Sequence, residues 1–370
     1  MTPATTDRQL LALLRAGLWG EAPQAELFVP STDWPLLHRS ARRQTVAGVA
    51  FAGVERLPAS CRPPREVLLA WYADARRIAA ASHRVDEVLS LVAARYRAAG
   101  LRPVLLKGQG VARLYRDASL RQAGDIDLYF GEACMRADAV ASGWSGVEAH
   151  PATRYHRSFT WQGVTVENHS RYVDFYAPRN RRAWAHISSR LALTDGSMLR
   201  LVDGSEVAVP SARMNALYLF LHLMHHFLQT GVGLRQLCDW ACLLRRHGCS
   251  LDGAALSADL GSLGMLRAAG ALARIVVEEL GVPPCSVPAE LLAAGRESDA
   301  RLMLDDILAS GNFGHDTARL RGFRRGRHLH NLKNYAAALA RHARIFRLCP
   351  REVAAYPLAW LRSWGRGAEA

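Results

Sequence analysis

The chain has 370 residues, of which 50% are hydrophobic and 22% charged, a balance that excludes wholesale disorder and, at roughly 100–200 residues per domain, calls for two or three domains. No run approaches the ~18 consecutive apolar residues of a membrane span; stretches such as Val46–Val54 reach about half that. The net charge of +14 suggests a nucleic-acid binder until it is decomposed: of 47 basic residues only Lys107 and Lys333 are lysines, so much of the charge reflects an arginine-biased composition. The start, MTPATTDRQL, lacks the basic-then-apolar order of a secretory leader, and the seven cysteines are scattered, so the reading is cytoplasmic.

The first hundred residues read as helices. Asp7 is a candidate N-cap before the stripe Leu10, Leu11, Leu13 and Leu14, and helical spacing continues through Trp34–Arg56 and Glu66–Ala99, split by Pro58, Pro63 and Pro64. After Gly100 the texture changes. Val104–Leu106 has strand character, Gln109–Tyr115 suits a short helix and Asp125–Phe130 a strand. Phe159–Trp161 and Val164–His169 flank the hairpin signal Gln162-Gly163, and Arg200–Val209 turns at Asp203-Gly204. From Ser211 the spacing is helical again: Met214–Leu228, Leu234–Arg246, Gly264–Leu280, Pro288–Leu308 and Asn331–Phe346. The expected class is α+β, with a small mixed-sheet core over 101–210 flanked by helical domains over 1–100 and 211–370.

Chemistry concentrates in VLLKGQGVARLYRDASLRQAGDIDLYF, Val104 to Phe130. Asp125 and Asp127 are two apart on a predicted strand, so both carboxylates project from one face while Ile126 and Leu128 point into a core. Carboxylates side by side repel unless a cation sits between them, and a hard divalent ion, Mg²⁺ above all, suits oxygen ligands. Lys107-Gly108 sits on the turn after an apolar strand, where glycine lets backbone N–H groups approach a phosphate and Lys107 adds charge. In an arginine-saturated chain, a lysine at that turn points to a compact point charge. On the later strand Thr165, Glu167 and His169 share one face and Val164 and Val166 the other, which supplies a third carboxylate. Three carboxylates on neighbouring strands are what two-metal phosphoryl or nucleotidyl transfer requires.

The strand, small-residue turn, short helix and G-D-I-D-L strand resemble the DNA polymerase β-type nucleotidyltransferase superfamily. More closely, LLKG, LY, R and GDIDLY, followed by an acidic strand, MHHFLQTGVGLRQLCDWACLL and GNFGH, are similar to the bacterial "nucleotidyltransferase family protein" group, over roughly Trp34 to Trp360. The resemblance implies that Asp125 and Asp127 ligate metal, that Glu167 completes a second metal site or acts as base, and that Gly108 lies at the phosphate-binding turn. The superfamily usually carries Gly-Gly or Gly-Ser there. Here Lys107-Gly108 is followed by Gln109-Gly110, so a serine hydroxyl has no substitute and Lys107 or Gln109 takes the phosphate contact, or the donor binds differently. Arg121, four residues before Asp125, is placed to reach a triphosphate; the plain alternative is a solvated loop arginine.

His222, His225 and His226 lie at i, i+3 and i+4 on one helix. The glutamate of the H-E-x-x-H zinc motif is missing, so His225 and His226 read as pocket-lining residues, as does His169. Cys238 and Cys242 share a helix face and read as core. Arg235 follows the glycine turn Gly231-Val232-Gly233; it either pairs with Asp239 at i+4 or serves the site. Gly311–His315 is either a base-stacking lid or a plain connection. Thr317–Arg351 contains ten Arg or Lys and no carboxylate, the pattern of either a polyanion-binding face or a solvated helix.

The reading is therefore an Mg²⁺-dependent nucleotidyltransferase, with two ions, that moves a nucleotidyl group from an NTP to a hydroxyl of a small molecule, peptide or RNA. The rivals are a transferase with a sugar-nucleotide or phosphosugar donor, and a catalytically weak nucleotide- or RNA-binding regulator.

Overall fold

The N-terminal stripe folds as α1 (Thr5–Trp19), burying Leu10, Leu11, Leu13 and Leu14. α2 (Trp34–Arg43) starts where the Asp33 side chain accepts from the Leu36 N–H at 2.9 Å, with Pro35 in its first turn. α3 (Ala47–Val54) crosses α1 with the backbones in contact: a Cβ on Gly17 would overlap the Val49 carbonyl, and one on Gly53 the Leu13 carbonyl. The structure, a computed structural model, describes residues 5–150, 156–229, 231–311 and 339–364.

The helical stretch expected over Trp34–Arg56 is thus two helices, broken at Gln44-Thr45-Val46. Thr45 takes φ 55°, and the buried Gln44 amide holds the break in place. Its Nε2 donates to the Ile307 and Leu308 carbonyls, each at 3.1 Å, and its Oε1 accepts from the Leu234 N–H at 2.9 Å. One side chain thereby ties the N-terminal helices to two C-terminal ones.

α4 (Arg65–Ala98) is one continuous helix of 34 residues, starting after Pro63-Pro64 and stopping just before Gly100. It spans two cores. Trp71 and Ala75 belong to a large helical core; Val88, Leu89, Val92 and Tyr96 belong to a second one under the sheet. The large core also contains buried residues of α1, α3, α8 (Ala212–Gln229), α9 (Leu234–His247), α11 (Leu266–Glu278) and α13 (Glu297–Ser310), so helices from both ends of the chain pack together. The stretch expected as one helix over Pro288–Leu308 breaks at Gly295-Arg296 into α12 (Ala289–Ala294) and α13.

The sheet is mixed, with order β3-β4-β5-β2-β1-β7-β6, where the strands are β1 (Val104–Leu105), β2 (Ile126–Tyr129), β3 (Glu148–Ala149), β4 (His156–Trp161), β5 (Val164–His169), β6 (Met198–Arg200) and β7 (Glu206–Ala208). The chain is accordingly α+β, with a mixed-sheet core and helical flanks. The Gln162-Gly163 and Asp203-Gly204 turns close the β4–β5 and β6–β7 hairpins, with positive φ at Gln162, Gly163 and Gly204. β2 runs parallel to β5 and antiparallel to β1, with Asp127 opposite Glu167 and Leu105 opposite Leu128.

Helices α5 (Gln109–Ala112), α6 (Cys134–Ser142), α7 (Pro178–Arg190) and α10 (Gly253–Ser262) complete the named elements, and the last described helix is Pro350–Trp364. The free N–H groups before α7 are answered from far along the chain: the buried Glu352 carboxylate accepts from the Tyr176 N–H at 2.6 Å and from Asn180 Nδ2 at 2.8 Å. All seven cysteines are free, with Cys238 and Cys242 buried in the core. No helix among the described residues is long and apolar enough to cross a membrane.

Candidate active site

Strand alternation builds the site. On β2, Ile126 and Leu128 enter the core beneath α4, leaving Asp127 on the opposite face, where it is only 1% exposed. On β5, Val164, Val166 and Asn168 are buried while Thr165, Glu167 and His169 face the other way, half-buried. Parallel pairing sets Asp127 beside Glu167 and Tyr129 beside His169. His169 Nε2 then lies 3.0 Å from Asp127 Oδ1 and 3.3 Å from Glu167 Oε2.

The β1–α5 turn delivers the cation. Gly108 takes φ 61°, and a Cβ there would come within 3.3 Å of the Asp125 carbonyl oxygen, so a side chain is disfavoured by both conformation and space. Lys107 Nζ reaches Asp127 Oδ1 at 3.2 Å and donates to His222 Nε2 at 3.4 Å. Burial drives the His222 imidazole well below its ordinary pKa, and Lys107 adds to the shift; a neutral ring can accept this bond.

Burial alone would raise the Asp127 carboxyl. Lys107 and the His169 hydrogen bond overcome it and hold the group down at about 2. Asp125 lies one residue before β2 at the mouth and is exposed as a residue; partial desolvation, then Glu167 and Asp127, raise its carboxyl above the ordinary range. Burial would lower the His169 pKa, but its bonds to Asp127 and Glu167 outweigh this and raise it from 6.5 to about 9.

The sign of that last shift gives a pH dependence. A raised folded-state value stabilises fully below pH 6.5 and is lost as pH rises through about 9. In chelator-treated protein, stability is expected to fall by on the order of 3 kcal/mol across that window. Melting curves of wild type and His169→Gln over the same window check it; an equal decline in the variant contradicts it.

Asp127, Glu167 and His169 each offer one ligand atom, all within 4.8 Å of one another, and this is the single such group of three among the described residues. The two carboxylates of this group suit a hard divalent ion, with His169 as their hydrogen-bond donor, and Asp125 lies outside the group. The α8 histidines form no such group. His222 and His226 instead meet ring edge to face with centroids 4.6 Å apart, and burial lowers His226 to about 3. His225 is lowered by burial as well, against the pull of Asp174.

The other anticipated residues separate. A cleft of about 920 Å³ runs past Lys107, Gly108, Asp125 and Asp127, and Arg121, His222 and Arg235 also line it. Gln109 turns away: its buried Nε2 donates to the Ser82 carbonyl and hydroxyl, each at 3.3 Å, fastening the turn to α4. His169, His225 and His226 are not among the lining residues.

The i, i+4 pairing of Arg235 with Asp239 is corrected. Asp239 is taken by Arg121 through Nε at 2.7 Å and Nη2 at 2.8 Å, a two-point fork that a helical neighbour does not match. Arg235 Nη1 donates to the Gln122 carbonyl at 3.0 Å instead. Sequence reasoning missed four more arginines that line the cleft, Arg39, Arg42 and Arg43 of α2 with Arg77 of α4. The available signal was the i, i+3, i+4 spacing of the first three. The lid reading of Gly311–His315 falls, after Gly311, outside the described residues, as does most of Thr317–Arg351. Within the described part, Arg341 and Arg347 pair with Asp306 and Asp299.

No curated protein and no solved structure matches the chain. A family model does, over residues 30–281, a segment that holds the cleft, the Lys107-Gly108 turn and both carboxylate strands. The chain belongs to the uncharacterised nucleotidyltransferase family.

Proposed function

We propose that the chain transfers a nucleotidyl group from an NTP to a hydroxyl of an acceptor, with Mg²⁺ held by Asp125, Asp127 and Glu167. The observation that carries the reading is the register: Asp127 beside Glu167 on parallel strands, facing the Lys107-Gly108 turn. In the all-oxygen set that Mg²⁺ prefers, His169 stays as the N–H donor that orients Asp127. A bound divalent ion supplies charge neutralisation and lowers the pKa of the attacking hydroxyl.

The residues do the rest. Lys107 and the Gly108 backbone hold the donor phosphates, with Arg121 and Arg235 behind them. The acceptor oxygen bonds to the α-phosphorus, the bond from that phosphorus to the α–β bridging oxygen breaks, and pyrophosphate leaves. The hydroxyl proton passes to the Glu167 carboxylate, and Asp127, fully ionised, keeps the site anionic at neutral pH. Positioning and electrostatics supply the rate.

Lys107 gives the direct test. It bonds Asp127 and His222 as a compact point charge, and a wider planar guanidinium brings the same charge in a different geometry. Lys107→Arg and Lys107→Met are both expected to weaken Mg·ATP binding at least about tenfold, roughly 1.4 kcal/mol, by isothermal titration. Wild-type affinity in Lys107→Arg contradicts a specific phosphate ligand at this turn.

A further inference from the structure

Part of the cleft wall is built of arginine. Arg39, Arg42 and Arg43 leave α2 and Arg77 leaves α4, all four lining the same cleft as Asp125 and Asp127. Three of them have partners within the protein. The buried Asp74 carboxylate takes Arg77 Nη2 at 2.9 Å, lies 3.5 Å from Arg42 Nε and meets His38 Nε2 at 2.8 Å. Arg43 Nη2 donates to the Leu308 carbonyl at 2.9 Å. Among the described residues Asp74 is the carboxylate paired with Arg42 and Arg77, which leaves a positive excess on this wall.

The floor of the cleft adds two more guanidinium groups. Arg121 is 5% exposed and lines the cleft, yet its Nη1, like Arg235 Nε, is buried without a hydrogen-bond partner among the described residues. Buried N–H groups of this kind are costly unless something accepts from them. A donor triphosphate has Lys107, the Gly108 turn and these two floor arginines to meet it. The wall is then surplus to the donor, and a cleft of about 920 Å³ has room for more than one nucleotide.

We propose that Arg39, Arg42, Arg43 and Arg77 form a second phosphate subsite, separate from that of the donor, and that the acceptor is a phosphate-bearing molecule gripped there while its hydroxyl faces the carboxylates. This rests on the nucleotidyl-transfer reading for the donor side only. The acceptor phosphate is a handle and is unchanged by the reaction; the bonds made and broken are those at the donor α-phosphorus.

Inorganic phosphate is the probe, titrated calorimetrically into the full chain with and without saturating α,β-methylene-ATP and Mg²⁺. One phosphate is expected to bind per chain, with its affinity changed less than about threefold by the analogue. The doubly substituted Arg39→Gln/Arg77→Gln chain, altered at two exposed positions, is expected to lose at least about tenfold in phosphate affinity and to keep analogue affinity within about twofold. Abolition of phosphate binding by the analogue assigns the wall to the donor and overturns the proposal, as does the absence of saturable phosphate binding to wild type. Analogue binding is measured first on its own. Its failure removes the nucleotidyl-transfer reading, while the phosphate titration of the analogue-free chain still decides the subsite.

Discussion

Asp127→Asn is expected to lower nucleotidyl transfer by at least about 10²–10³-fold, the scale on which a preorganised electrostatic group in a dry site acts. Asp127 is the group on which the site converges: His169 at 3.0 Å and Lys107 at 3.2 Å both address its Oδ1, and Glu167 stands opposite it in register. An amide keeps the shape and removes the charge. The fold is expected to survive, because the substitution forfeits two favourable pairings but also relieves the like charge of Glu167 and the cost of burying a carboxylate. Mn²⁺ binding, used as a spectroscopic substitute for Mg²⁺, should be lost with activity while far-ultraviolet circular dichroism is unchanged. Near-native turnover in Asp127→Asn rules the carboxylate centre out.

The second large effect lies in the floor of the cleft and is read as stability. Arg121 and Asp239 are both almost wholly buried and joined by two short bonds, and the Tyr115 hydroxyl donates to Asp239 Oδ1 at 2.7 Å. Asp239 holds its ionised form against burial because of Arg121. Arg121→Met leaves a buried carboxylate with Tyr115 and without its cation, and should cost about 3–5 kcal/mol of unfolding free energy. Arg121→Met/Asp239→Leu, which removes both charges, should recover most of that loss. Urea denaturation of the three variants measures it. A single variant within about 1 kcal/mol of wild type means that the pair does not brace the cleft.

Local period carried most of what the sequence made legible. Alternation over Val164–His169 is a two-residue pattern, and it set Glu167 and His169 on the face where β5 presents them beside Asp127. The breaker residues at Pro63-Pro64 and Gly100 bounded α4 for the same reason. What stayed hidden depends on partners far along the chain. The break at Thr45 is held by Gln44 bonds to α13 and α9, more than 180 residues away, and nothing in QTVAG announces it. α7 buries only Asn180 and Ile187 and is arginine-rich, so it carries little apolar stripe; its N-terminus is answered by Glu352. The arginine wall was hidden in the composition. Among 45 arginines, the few that line the cleft differ from the rest in location alone, which requires knowing how α2 and α4 bound it.

Product analysis tests the central claim most directly. Wild-type protein incubated with mixed NTPs, Mg²⁺ and a small-molecule extract should release pyrophosphate and yield, by mass spectrometry, a new species heavier than its acceptor by one nucleoside monophosphate, and Asp127→Asn should yield neither. Release of inorganic phosphate or transfer of a sugar in place of a nucleotide, or an equal yield from Asp127→Asn, contradicts it.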